Sequence, residues 1–147
     1  MKVVVQRSKH SSVSVNNKLV NEINSGLVLL LGIAVDDDMS DLEYIVKKVL
    51  NLRIFDDENG VMNKSILDVG GEILSISQFT LQASTKDGNR PSYINAMKGD
   101  EAIKLYEEFN RRLNESVHTL PGVFGAEMEV NILNDGPITI VIDSKNK

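Results

Sequence analysis

Apolar and polar residues alternate along the first part of the chain and then give way to longer apolar runs. The alternation in Val13-Ser14-Val15, the polar stretch Asn16-Asn17-Lys18 and the extended segment from Leu19 to Ile23 predict a β-hairpin. Gly26 then precedes an apolar run from Leu27 to Val35, which has the length and composition of a buried strand. The pattern therefore predicts strands joined by short turns.

The next pattern repeats every three to four residues and predicts a helix that packs on a sheet. Ser40 followed by Glu43 matches a capping box at the start of this helix. Its apolar residues recur on one helical face and are Leu42, Ile45, Val46, Val49 and Leu50. The acidic run Asp36-Asp37-Asp38 before the helix is explained by the helix dipole and by solubility, so it is left out of the candidate site.

Shorter elements and a second helix are predicted in the middle of the chain. Arg53-Ile54-Phe55 predicts a short strand, Asp57 to Gly60 a turn, and Gly70-Gly71 precede a strand from Glu72 to Leu81. A second amphipathic helix is predicted from about Asp100 to Val117. Its apolar face carries Ile103, Tyr106, Phe109 and Leu113.

The chain closes with two predicted strands, Glu127 to Leu133 and Ile138 to Ile142, linked as a hairpin by Asn134-Asp135-Gly136-Pro137. Several strands, two main helices and mostly short links predict an α+β fold, with a mainly antiparallel rolled sheet or barrel. The length of 147 residues and the 41% of hydrophobic residues suit a single domain over residues 1–147. A doubly wound nucleotide-binding sheet would need regular strand–helix alternation, which is missing.

Composition excludes several kinds of catalytic site. The chain has no cysteine, so thiol nucleophiles, thiolate metal sites and disulfides are ruled out. The glycine-rich phosphate-binding motifs, the G-x-S-x-G nucleophile motif and the H-E-x-x-H zinc motif are also missing. His10 and His118 lack the spacing of metal ligands, so we expect structural or surface roles for both. No metal and no other cofactor are expected.

Charge and hydropathy limit the partners. The formal net charge of −5 argues against broad binding along a nucleic-acid backbone, because each neutralised phosphate needs a Lys or an Arg. A narrow contact stays open, although each basic pair fits a solvated face equally well. These pairs are Arg7/Lys9, Lys47/Lys48, Lys86/Arg90 and Arg111/Arg112. The longest apolar run is about half of a membrane span and the N-terminus does not resemble a signal peptide, so we expect a soluble, cytoplasmic protein.

Polar side chains interrupt the predicted strand at Ser77-Gln78-Phe79-Thr80-Leu81. In a strand Gln78 and Thr80 share one face, because side chains alternate with a period of two. A polar face at this point predicts a pocket. A half-exposed strand end is the alternative, and the residues alone are compatible with both.

A proline follows a glycine at the tip of the last predicted hairpin. Pro137 has no backbone N–H, so the strand ladder cannot restart there and the carbonyl groups of Gly136 and Pro137 stay free to bind a ligand. A turn proline without a function is the alternative interpretation.

At these residues the chain closely resembles the D-aminoacyl-tRNA deacylase family, also named the D-tyrosyl-tRNA deacylase family. Ser77 to Leu81 matches the family's S-Q-F-T-L motif, and Asn134 to Thr139 matches its N-x-G-P-x-T motif. Further matches are Gln6-Arg7, Arg53-Ile54-Phe55, Met62-Asn63, Gly88 with Arg90-Pro91-Ser92, and Phe124-Gly125-Ala126-Glu127-Met128. The departures are Tyr93, where many members have Phe, and Glu127, where Asp is usual.

The resemblance implies a homodimeric hydrolase that cleaves the ester joining a D-amino acid to the terminal ribose of tRNA, and also clears glycine mischarged on tRNA-Ala. It implies a cis Gly136-Pro137 bond whose two carbonyls project into the partner's pocket, bind the α-amino group and reject an L side chain. Arg7 is expected to orient this segment. Phe124 and Met128 are expected to form pocket walls. The function would be proofreading in translation quality control.

The same resemblance places catalysis at Ser77, Gln78, Phe79 and Thr80. Thr80 looks like a nucleophile, but the motif contains no His, Lys or carboxylate to act as its base. We favour a substrate-assisted route through the ribose 2′-hydroxyl, with backbone N–H groups around Phe79 and Thr80 stabilising the oxyanion. A non-catalytic nucleic-acid-binding protein with the same fold and a small-molecule-binding barrel are the rival hypotheses.

Overall fold

Eight strands, three α-helices and one 3-10 turn make up the computed structural model, which describes all residues from 1 to 147. The strands are β1 (Lys2–Val15), β2 (Lys18–Ile23), β3 (Gly26–Gly32), β4 (Phe55–Asp56), β5 (Met62–Lys64), β6 (Glu72–Ser77), β7 (Thr119–Pro121) and β8 (Glu129–Asp143). The helices are α1 (Met39–Asn51), α2 (Ile66–Val69) and α3 (Gly99–Asn114), and the 3-10 turn spans Phe79–Gln82. None of the helices is long and apolar enough to cross a membrane.

One six-stranded sheet forms the body of the molecule, with β1 near its centre. β1 pairs antiparallel with β2 and β3 on one side and with β8 on the other. β6 and β7 extend the sheet from β3 through two parallel pairings, which the sequence pattern did not reveal. The sheet curls until Asn21 of β2 donates a hydrogen bond to the carbonyl oxygen of Pro121 in β7 (2.7 Å). The predicted α+β class with a mainly antiparallel, barrel-like sheet is confirmed.

The predicted first hairpin is confirmed. Asn16 and Asn17 form its two-residue turn, and both have positive φ angles, 51° and 62°. Turns of this kind match the twist of the two strands, and asparagine tolerates the left-handed conformation better than most residues. Val15 therefore pairs directly with Lys18.

The main core lies between the sheet and helices α1 and α3. The predicted apolar face of α1 is confirmed, since Leu42, Ile45 and Val49 are fully buried. In α3 the core residues include Phe109, whose complete burial contributes about 1.5–3 kcal/mol. Ile103 is only half-buried, and Ala102 takes the core position at that end of α3. The helix also ends at Asn114, three residues before the predicted end at Val117.

The predicted capping box of α1 is wrong. Asp38 is the N-cap residue, and its side chain accepts hydrogen bonds from the backbone N–H groups of Ser40 (2.8 Å) and Asp41 (3.3 Å). The Asp41 carboxylate accepts the N–H of Asp38 in return (3.0 Å). The helix begins earlier than expected because an acidic residue of the Asp36–Asp38 run satisfies its first N–H groups.

The predicted strand from Glu72 to Leu81 is too long, because β6 ends at Ser77. Gln78 donates its N–H to the carbonyl of Leu31 in β3 (2.7 Å), and the carbonyl of Ile33, just past the end of β3, accepts the N–H of Met97 (3.0 Å). With its partner occupied, the chain turns into the 3-10 turn. The predicted strands Leu27–Val35 and Arg53–Phe55 are also shifted, to β3 and β4.

The predicted C-terminal hairpin is wrong. Residues 129–143 form one strand, β8, whose two halves both pair with β1, from Ser14 opposite Glu129 to Lys2 opposite Asp143. The chain does not reverse at Asn134–Pro137. Instead, residues 135–138 stand opposite Arg7 alone, as a bulge in a continuous strand.

Candidate active site

A cavity of about 480 Å³ opens where β3 and β6 end, within the size range of small-molecule pockets. Five predicted site residues line it: Ser77, Gln78, Phe79, Phe124 and Met128. The other lining residues are Leu31, Ile33, Ile76, Met97, Gly99, Ala102, Gly125, Ala126 and Val130. Ten of the fourteen are hydrophobic, so the cavity suits a largely apolar group bound beside a few polar atoms.

Met97, Gly99 and Ala102 were missed as site residues. They lie at and just before the start of α3, where the sequence shows only the beginning of an amphipathic helix. They reach the cavity because Met97 is tied to Ile33 at the end of β3. Apolar residues of this kind carry no local signal that separates a pocket wall from a core position.

The 3-10 turn holds Gln78 and Thr80 in contact. The side-chain Nε2 of Gln78 donates to Oγ1 of Thr80 at 2.5 Å. The sequence predicted that strand alternation would place the two side chains on one face. The 3-10 turn brings them together instead. Thr80 itself is half-buried and does not line the cavity. A carboxamide donor cannot remove a proton from the hydroxyl, so this contact does not activate Thr80 as a nucleophile.

The 3-10 turn packs directly against the backbone of Gly32, which has no side chain. A Cβ atom added to Gly32 would lie 2.7 Å from Cβ of Leu81 and 2.9 Å from the carbonyl oxygen of Gln78. Gln82 is buried, and its side-chain amide donates to the carbonyl of Gly32 (2.8 Å). Within the turn, the first N–H to find a carbonyl partner is that of Leu81, so the N–H groups of Phe79 and Thr80 have no partner in the turn.

Two residues that line the cavity, Phe124 and Met128, pack against residues outside it. The Tyr106 hydroxyl donates to the carbonyl of Ser75 (2.7 Å), and its ring lies against Phe124 with a centroid separation of 5.6 Å. Burial raises the pKa of Tyr106, so the hydroxyl remains a neutral donor at physiological pH. Met128 packs over Gly122, where an added Cβ would lie 2.7 Å from its sulfur atom.

Arg7, Gly136 and Pro137 form a second group that does not line this cavity. The peptide bond between Gly136 and Pro137 is cis, and both residues are exposed. Arg7 is buried and lies under the bulge, where Nη1 donates to the carbonyl of Ile54 (2.8 Å) and Nε lies 3.1 Å from the Asp135 carboxylate. The Nε–Asp135 contact is a charge interaction without hydrogen-bond alignment.

Asn134 fixes the other side of the bulge. Its side-chain amide donates to the carbonyls of Arg7 and Ile138, both at 3.0 Å. One side chain therefore links the bulge to Arg7 of β1 and to Ile138, the residue after Pro137. The arrangement holds the exposed Gly136-Pro137 segment in a defined position on β8.

The histidines stand apart from both groups. His10 is exposed and its Nε2 lies 3.5 Å from Glu22, and His118 is exposed near the start of β7. Neither residue lines the cavity beside the 3-10 turn. The chain also contains no group of three or more His, Cys, Asp or Glu side chains placed to hold a metal ion.

Comparisons with known proteins agree over almost the whole chain. Residues 4–143 match the family model described as D-Tyr-tRNA(Tyr) deacylase. A curated protein named D-aminoacyl-tRNA deacylase, from Parabacteroides distasonis, is 53% identical over 151 aligned residues, covering 100% of this chain and 99% of that protein.

Two solved structures have the same fold. One, described as c-Myc DNA Unwinding Element Binding Protein, is 42% identical, with a TM-score of 0.93 over 97% of this chain and 98% of the other. The second, described as a probable eukaryotic D-amino acid tRNA deacylase, is 18% identical, with a TM-score of 0.81 over 96% of this chain and 97% of the other. At that identity the second likeness concerns the fold alone.

Proposed function

The chain belongs to the D-Tyr-tRNA(Tyr) deacylase family, as the sequence resemblance predicted, and we propose that it proofreads aminoacyl-tRNA by chirality. It is a hydrolase that acts on aminoacyl-tRNA. The reaction releases a D-amino acid from the terminal ribose of tRNA. The proposal adds how the substrate is selected, which groups act on the ester, and that the protein works as a cytoplasmic homodimer.

The observation that carries the proposal is the cavity beside the 3-10 turn. Its Ser77, Gln78 and Phe79 come from the S-Q-F-T-L segment, and the adjacent N–H groups of Phe79 and Thr80 have no partner within the turn. An ester carbonyl bound at this point would place its oxygen near two backbone donors. Donors fixed in this way stabilise the negative charge that develops on that oxygen during hydrolysis.

The proposed reaction uses water and the substrate's own ribose. The water oxygen bonds to the ester carbon while the neighbouring 2′-hydroxyl relays its proton. The tetrahedral intermediate then breaks the carbon–oxygen bond to the ribose, and the ribose oxygen takes up a proton as the amino acid leaves. Gln78 lines the cavity, and its hydrogen bond to Thr80 holds the turn that positions the ester. This route suits a site whose Thr80 hydroxyl contacts an amide donor and no base.

Chiral selection is assigned to the Gly136-Pro137 segment of a second subunit. The two residues are exposed on β8, held by Arg7 and Asn134, and do not line the cavity of their own chain. In a dimer their carbonyls would bind the substrate's α-amino group and collide with an L side chain. Glycine has no side chain, so glycine mischarged on tRNA-Ala would also be hydrolysed.

β8 supplies the surface for such a dimer. It pairs only with β1, so its other edge carries unpaired backbone groups. Leu133 and Val141 on the same strand are 57% and 66% exposed. An open strand edge with exposed apolar side chains favours pairing with another chain. A second copy would cover these residues and bring its own Gly136-Pro137 segment to the interface.

The test of this function is turnover of D-tyrosyl-tRNA by chelator-treated protein present at a hundredth of the substrate concentration. We expect complete release of D-tyrosine and no loss of rate after chelation. The 42% identical structure is described as a DNA-element-binding protein, so binding without turnover is the competing outcome. Stoichiometric binding with no release above the spontaneous rate would support that alternative.

A further inference from the structure

An exposed apolar surface, formed by Phe79, Tyr93 and Ile94 and named here the aromatic shelf, lies beside the cavity. Phe79 lines the cavity and is still 56% exposed, while Tyr93 and Ile94 are 40% and 81% exposed. The rings of Phe79 and Tyr93 meet edge to face, with centroids 5.0 Å apart and an angle of 68° between the planes. Two aromatic rings therefore lie open to solvent where the cavity ends.

The shelf is held by backbone hydrogen bonds. Ser84 and Ser92 exchange two of them, at 2.8 and 2.9 Å, and so close the loop between the 3-10 turn and Tyr93. The carbonyl of Tyr93 accepts the N–H of Ala96 (3.0 Å), and the carbonyl of Asn95 accepts the N–H of Val35 (3.0 Å). A surface fixed in this way can bind a partner without first having to order itself.

The loop of residues 85–91, which the Ser84–Ser92 pair closes, carries unpaired positive charge. Lys86 and Arg90 are exposed and neither takes part in an ion pair, and Asp87 is the loop's one acidic residue. Arg90 is the only arginine of the chain with neither a hydrogen bond nor an ion pair. Each of the other four contacts a carboxylate or a carbonyl: Arg7, Arg53, Arg111 and Arg112.

Free cations beside exposed aromatic rings are the combination that binds single-stranded nucleic acid. Bases stack on aromatic side chains irrespective of sequence, and Lys or Arg side chains neutralise the phosphates between them. In a protein of net charge −5, a small basic loop of this kind suits a contact with a few nucleotides and not with a long backbone.

We propose that the aromatic shelf and residues 85–91 bind the unpaired nucleotides that precede the terminal aminoacylated nucleoside of the tRNA. This inference rests on the proposed function, which places the aminoacyl ester in the adjacent cavity. The strand would leave the cavity past Phe79, stack one base on the shelf at Tyr93, and bring the neighbouring phosphates to Lys86 and Arg90.

The test compares two substrates that carry the same D-amino acid: D-aminoacyl-tRNA and the D-aminoacyl ester of adenosine alone. We expect the double variant Lys86→Ala/Arg90→Ala to lose about tenfold in kcat/KM on the tRNA and nothing on the adenosine ester. Its kcat/KM on tRNA should also depend less on salt, by about 0.7 in the logarithmic slope for each phosphate contact removed. The matched control is Lys18→Ala/Lys47→Ala, which removes two exposed lysines without ion pairs from β2 and α1.

Tyr93 tests the stacking contact separately. Tyr93→Leu should lower kcat/KM on tRNA by about tenfold and leave the adenosine ester unaffected, whereas Tyr93→Phe should retain both activities. Unchanged activity on tRNA in the two loop and shelf variants overturns the proposal. Equal losses on both substrates, or conversion of Tyr93→Leu to a monomer, also overturn it, because the shelf would then shape the cavity or the subunit interface. If the wild-type protein hydrolyses neither substrate, the proposed function itself fails.

Discussion

At the scale of single residues, the environment of Thr80 limits its chemical role. Its hydroxyl oxygen accepts a hydrogen bond from Gln78 (2.5 Å), and its side chain does not line the cavity. A hydroxyl nucleophile needs a neighbouring group that takes its proton, and an amide donor does not do so. The polar pair at Gln78 and Thr80 is therefore better suited to holding the 3-10 turn in shape than to forming a covalent intermediate.

Replacing Thr80 with Val tests this role, because Val keeps the shape and removes the hydroxyl. We expect single-turnover release of the D-amino acid to slow by less than about a hundredfold, whereas deletion of a catalytic nucleophile costs on the order of a millionfold. Thr80→Ser serves as the control that keeps the hydroxyl. A loss of several orders of magnitude with tRNA binding intact would identify Thr80 as the nucleophile.

Gly136 is the second residue with a direct test. Its φ angle is +123°, and a Cβ atom added there would lie 2.7 Å from Cγ1 of Ile138 and 2.9 Å from its backbone nitrogen. Gly136→Ala must therefore displace the bulge, and we expect at least a tenfold loss of D-ester hydrolysis or of discrimination against the L-ester.

The control for Gly136 is Gly60→Ala, at a turn with a φ of +74° and no atom within 4 Å of the added Cβ. It also places an L residue at a positive φ angle, although a less strained one, without crowding, and should keep the activity. If folded Gly136→Ala hydrolyses both enantiomers at wild-type rates, Gly136 lies outside the selective site.

At the scale of elements, the sequence predicted those whose pattern is local and missed those set by a distant partner. The β1–β2 hairpin and the apolar face of α1 follow from neighbouring residues, and both are confirmed. The end of β6 depends on Met97, which occupies the carbonyl of Ile33 from another part of the chain. Likewise, β8 continues through the residues of a predicted turn because β1 is long enough to pair with both halves.

The residues of the candidate site also divide into those with a local sequence signal and those placed by distant contacts. The two motifs marked the residues around the 3-10 turn and the Gly136-Pro137 bulge, although both were assigned to the wrong local structure. The apolar lining from Met97 to Ala102 was not predicted, because its place in the site results from tertiary packing. Polar interruptions and prolines stand out in a sequence, whereas pocket walls resemble the core.

The 3-10 turn depends on one buried side chain, which gives a prediction at this scale. Gln82→Met keeps most of the volume but leaves the carbonyl of Gly32 without its donor (2.8 Å in the wild type). We expect the free energy of unfolding to fall by about 1–3 kcal/mol and kcat to fall about tenfold as the turn shifts.

Urea denaturation and single-turnover rates measure the two effects of Gln82→Met. Gln6→Met is the matched control, since it removes a longer and exposed contact with Thr139 (3.2 Å) and should cost little stability. Full activity of Gln82→Met despite the lost stability would show that the turn does not need this support.

At the scale of the whole molecule, α1 and the end of the chain are joined through Asp41. Burial alone would raise the pKa of Asp41, but hydrogen bonds from Lys145 (2.8 Å), Ser144 and the N–H of Asp38 outweigh it and lower the pKa far below the ordinary value of 3.8. A depressed folded-state pKa means that these contacts stabilise the protein above pH 3.8 and lose that effect as the pH falls below it.

Asp41→Asn should therefore be less stable than the wild type at pH 7, by about 1–2 kcal/mol. We expect this difference to shrink steadily in urea melts performed below pH 3.8. Glu129→Gln, which changes an exposed carboxylate without an ion pair, should show no such trend. A difference that is constant or grows towards acid pH would contradict the assignment.

The central claim is that one site hydrolyses D-aminoacyl-tRNA and excludes the L form by the backbone of a second subunit. The most direct measurement is the ratio of kcat/KM for D-tyrosyl-tRNA and L-tyrosyl-tRNA, determined on protein whose dimeric state has been verified. We expect rapid multiple-turnover hydrolysis of the D-ester and protection of the L-ester, a preference of at least about a thousandfold, as when a site sterically rejects the wrong group. Equal rates for the two enantiomers, or full activity and discrimination in a verified monomer, would contradict it.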